Sequence, residues 1–158
     1  MKLDNSDLRS LTKSLLIALD VPISSQLLVF SGSASQGLKV NPNNPRAIYF
    51  NDEVYVGIVP GGLLELIGVD PNIGAVLYTF RDVGTGRLPS TTGGSECTRC
   101  HSRTGSGYAQ GFFVRSIIPN ESGQMVGSQD LDAEGHDRPL GRRFGGWFIT
   151  SGQPDIFG

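Results

Sequence analysis

Two cysteines and a histidine fall within five consecutive positions, Cys97-Thr98-Arg99-Cys100-His101, and these are the only cysteines in the chain. Two thiols three positions apart can add across the two vinyl groups along one side of a porphyrin and form thioethers. The next residue then projects an imidazole beneath the iron. Cys-x-x-Cys-His is the attachment pattern of haem c, and its axial His sets one half of the iron's ligand field. Two other chemistries use part of the same set. A redox dithiol expects Cys-x-x-Cys between a strand and a helix in a βαβ unit, whereas Gly93-Gly94-Ser95 precedes this pair. A structural zinc site could combine Cys97 and Cys100 with His136, but such sites usually show a second paired half, and the sequence has none. The expectation is one covalently attached haem c on Cys97, Cys100 and His101.

A second axial ligand has few candidates. Apart from His101 the only His is His136, and apart from Met1 the only Met is Met125. His136 stands in Glu134-Gly135-His136-Asp137-Arg138-Pro139, where Gly and Pro can hold an imidazole in place and Asp137 or a backbone carbonyl can orient its other nitrogen. Met125 stands in Ser122-Gly123-Gln124-Met125-Val126 and otherwise reads as a core filler. His136 is the preferred ligand, Met125 the lesser one, and an open sixth position the third option. All six basic residues from Arg99 onward are Arg, which suits bidentate recognition of haem propionates. Arg138 and Arg142 are favoured for that role because they stand near His136 in sequence. Phe112, Phe113, Phe144, Trp147 and Phe148 can supply the apolar wall of a porphyrin pocket, and Tyr108 can reach its edge.

The elements that must position these residues are legible in part. Leu8, Leu11, Leu15 and Leu19 recur at helical spacing, with Asn5 or Ser6 as N-cap and Pro22 as a stop. Gln26–Phe30 is a short apolar run before a Gly/Ser loop at 32–37, and Asn41-Pro42-Asn43-Asn44-Pro45 breaks the chain. Ala47–Phe50, Val54–Val59, Leu63–Gly68 and Ala75–Phe80 read as strands, joined by turns at Pro60-Gly61-Gly62 and Asp70–Gly74. Together they predict an antiparallel meander of three to five strands. Residues 82–96 read as a connector, 112–118 as a strand or the tail of a short helix, 119–141 as irregular, and 144–150 as a final strand. The expected fold is α+β: an N-terminal helix, an antiparallel β meander over 1–81, then a loop-rich haem c-binding segment over 97–158, all in one domain of 1–158.

The net charge of −2 gives no basic field for nucleic acid. No apolar run approaches the roughly 18–20 residues that cross a bilayer. Bacterial haem c attachment takes place outside the cytoplasm, so a periplasmic or otherwise exported location is expected. The N-terminal Met-Lys-Leu-Asp-Asn-Ser-Asp lacks the apolar core of a secretory signal, so a signal is expected to have been removed or to lie outside this sequence.

From about Val21 to Ser151 the chain resembles a group of uncharacterised bacterial cytochrome c-like domains. The matching stretches are Arg46 to Gly57, Cys97 to Thr104, Val114-Arg115-Ser116, His136-Asp137-Arg138-Pro139 and Arg143-Phe144-Gly145-Gly146-Trp147. In that group the His136 position recurs and a Met at 125 does not, which favours His136 as the second ligand. The resemblance implies a monohaem c-type cytochrome, and the sheet-forming first half departs from the all-helical cytochrome c fold. An electron carrier rather than an enzyme is expected from a haem with both axial positions filled, meeting redox partner proteins or forming a subunit of a larger complex. β-rich haem proteins that detoxify hydroxylamine or bind nitric oxide share the order of sheet then Cys-x-x-Cys-His, and imply the alternative of a haem enzyme or gas sensor with an open sixth site.

Overall fold

A carboxylate starts the first element. In the computed structural model, the Asp7 side chain accepts hydrogen bonds from the Ser10 backbone N–H (2.8 Å) and hydroxyl (2.9 Å), and helix α1 runs Leu8–Ala18. The cap is therefore Asp7, not Asn5 or Ser6: Asp7 directly precedes the first helical residue and its carboxylate accepts the Ser10 N–H. The helix buries Leu11, Leu15 and Leu16. It ends in a Schellman arrangement: Val21 N–H donates to Leu16 O and Asp20 N–H to Ile17 O, with Asp20 in the left-handed region at φ 52°. Val21 then packs back into the same cluster as Leu16, and Pro22 prevents any continuation.

The structure describes residues 2–30, 32, 36–81, 83–85, 90–91, 97, 101 and 119–125. The chain divides into two interleaved units, one of Met1–Leu27 with Ala47–Phe112, the other of Leu28–Arg46 with Phe113–Gly158. The strands are β1 (Leu27–Val29), β2 (Arg46–Phe50), β3 (Val54–Ile58), β4 (Leu64–Asp70), β5 (Gly74–Phe80) and β6 (Ser90–Thr91), and their order in the sheet follows the chain. From β2 to β6 every ladder is antiparallel. The expected α+β class and meander hold for the described residues. Expected strands at 112–118 and 144–150 lie outside them.

Turn chemistry sets the register. At the β2–β3 turn the Asn51 side-chain oxygen accepts from Glu53 N–H (3.0 Å) and Val54 N–H (2.9 Å), while its amide donates to Leu19 O at 3.1 Å, tying the hairpin to the end of α1. Gly61 turns β3 into β4 at φ 67°. Asp70 caps the β4–β5 turn by accepting from Asn72 N–H and Ile73 N–H. With this register, Tyr49, Val56, Leu66 and Tyr78 align across β2 to β5, and Leu64 aligns with Phe80. These residues meet Leu11, Leu15 and Leu16 of α1, with Val56 and Leu64 fully buried at the centre. Alternation places Ile48, Ala75, Leu77 and Thr79 on the opposite sheet face, where they are buried as well.

Within the connector 82–96 stands the two-residue strand β6, which the sequence reading does not single out. Ser90 and Thr91 pair with Thr79 and Tyr78. Before it, Gly84 N–H donates to both the backbone oxygen (2.8 Å) and the side-chain oxygen (3.2 Å) of Asn5, so the N-terminal arm holds the chain as it leaves the sheet.

Candidate functional site

The route to the cysteine motif is short. β5 leads through the Asn5-held turn at Gly84 to β6, and Cys97 follows six positions after Thr91. Cys97 and His101 both have α-helical backbone and both are half-buried. Residues four apart on a helix are surface neighbours, with Cβ atoms about 5–6 Å apart. Cys97 is present as a thiol. Sulfur and imidazole are donor types that would hold a tetrapyrrole at its edge and at its metal. Cys100, His136, Arg138 and Arg142 lie outside the described residues, as do Tyr108 and the aromatic residues Phe112, Phe113, Phe144, Trp147 and Phe148.

Met125 is described and is not a core filler, being half-exposed at 50%. It bridges to Pro119 across a tight turn. In that turn the Asn120 side-chain oxygen accepts from Ser122 N–H (3.0 Å) and Gln124 N–H (2.9 Å), and Asn120 N–H donates to Gln124 O at 2.8 Å. Gly123 supplies φ 77°. The turn is fastened to the segment before β2: Gly32 N–H donates to Gly123 O at 2.7 Å, and the Gln124 amide donates to Gly37 O and Val40 O at 3.1 and 3.3 Å. This seat for Met125 has a local signature, Asn120-Glu121-Ser122-Gly123, in which Asn supplies the turn acceptor and Gly the left-handed residue. Within a stretch read only as irregular, the signature passes unnoticed.

A dithiol motif in a βαβ unit expects parallel pairing, and the ladders from β2 to β6 among the described residues are all antiparallel. Among the described residues, no three His, Cys, Asp or Glu side chains converge as a metal site. Nor is any described helix long and apolar enough to cross a membrane. No family model, curated protein or solved structure matches the chain significantly.

Proposed function

We propose that this chain is a monohaem c-type cytochrome that transfers electrons in an exported, periplasmic redox chain or complex. The observation that carries the reading is the pairing of Cys97 and His101 on half-buried helical backbone within Cys-x-x-Cys-His. Cys97 and Cys100 hold one haem c as thioethers, each formed by net addition of S–H across a vinyl C=C with no change of oxidation state. His101 and His136 would hold the iron, and Arg138 and Arg142 would pair with the propionates. When bound, the haem supplies a one-electron ferric/ferrous couple. The protein's residues then set its ligand field, its exposure to water and the surface that meets redox partner proteins.

The test is an absorption spectrum of protein matured in an exporting host with haem c attachment machinery, oxidised, reduced and in alkaline pyridine. A haem c product with six-coordinate low-spin bands is expected, and His136→Ala should turn it high-spin and open to carbon monoxide while Met125→Leu leaves it unchanged. A colourless, zinc-containing protein overturns the haem reading. A wild-type protein that is already high-spin and binds carbon monoxide rapidly keeps the haem but replaces electron transfer by the gas-binding or catalytic alternative.

A further inference from the structure

We draw no further inference here: the strongest candidate, the open cleft between the turn at Asn41–Asn43 and the turn at Glu121–Gln124, carries nothing because its Asn41 and Gln124 amides are spent on the backbone of the loops that form it and nothing in the structure points to a ligand.

Discussion

Gly123 and Asp7 show how much a single position can determine. Gly123 lies at φ 77°, and a Cβ there would overlap the carbonyl oxygen of Phe30. Gly61 lies at a similar φ of 67° with nothing within 4 Å of a built Cβ. An L-residue in the left-handed region costs about 1–2 kcal/mol, and of these two positions only Gly123 adds a steric clash with neighbouring backbone. Gly61→Ala should therefore cost about 1 kcal/mol and Gly123→Ala distinctly more, about 2 kcal/mol or above, in urea unfolding. Equal losses would show that the Phe30 contact is not a constraint. Asp7 acts through charge instead. The Ser10 backbone N–H, then its hydroxyl, hold the Asp7 carboxyl below the usual carboxylate range. A carboxylate whose pKa is lowered by folding stabilises the fold above its unfolded pKa, and that contribution is lost as pH falls through the lowered value. The melting-temperature gap between wild type and Asp7→Ala should be widest near neutrality and narrow in acid. A gap independent of pH would mean that the carboxylate charge plays no part in the cap.

At the scale of elements, the end of α1 offers a direct test of the packing described above. Asp20 occupies the left-handed C′ position that glycine fills without steric cost, and only its backbone N–H and O are engaged there, with Ile17 and Asn51. Asp20→Gly should keep the Schellman bonds and stabilise the protein by up to about 1 kcal/mol, the relieved backbone strain being partly offset by the greater freedom of Gly in the unfolded chain. A loss of stability would mean that the Asp20 side chain, rather than the backbone turn, matters at this corner. The strands β2 to β5 are legible in the sequence because apolar alternation and strong turn residues agree: Asn51, Gly61 and Asp70 each mark the turn that they make. β6 is not legible, since Ser-Thr carries no alternation and its pairing is dictated by the neighbouring β5. The N-cap is ambiguous for a related reason. Asn5, Ser6 and Asp7 are all capping types; the Asn5 side-chain oxygen is taken by the distant Gly84 N–H, and the Asp7 carboxylate accepts from Ser10. The candidate site follows the same division. Cys97, Cys100 and His101 are recognisable because one local turn of chain holds the whole motif. No spacing ties His136, Arg138 or Arg142 to that motif, so their roles depend on tertiary placement.

For the whole molecule, the physical question is what the proposed haem adds to a scaffold that already has a core. The cluster between α1 and the sheet is built from protein side chains alone, from Leu11, Leu15 and Leu16 to Val56, Leu64 and Phe80. α1 and the meander β2–β5 should therefore form whether or not the motif is loaded. A group held only by the folded chain shifts the equilibrium toward it, and a porphyrin brings a large apolar surface whose burial contributes about 25 cal/mol per Å². The Cys97→Ala/Cys100→Ala chain should thus retain the far-UV circular dichroism of a helix-plus-sheet protein yet melt at a lower temperature than the haem-bearing protein. Trp147, the sole tryptophan, supplies an independent probe because haem accepts its excitation energy. Its fluorescence should be quenched in the loaded protein and restored in the double variant. Equal melting temperatures would mean that the haem contributes nothing to the fold. If instead the double variant lost its far-UV signal, the α1–sheet core could not be the autonomous platform on which Cys97 and His101 are presented.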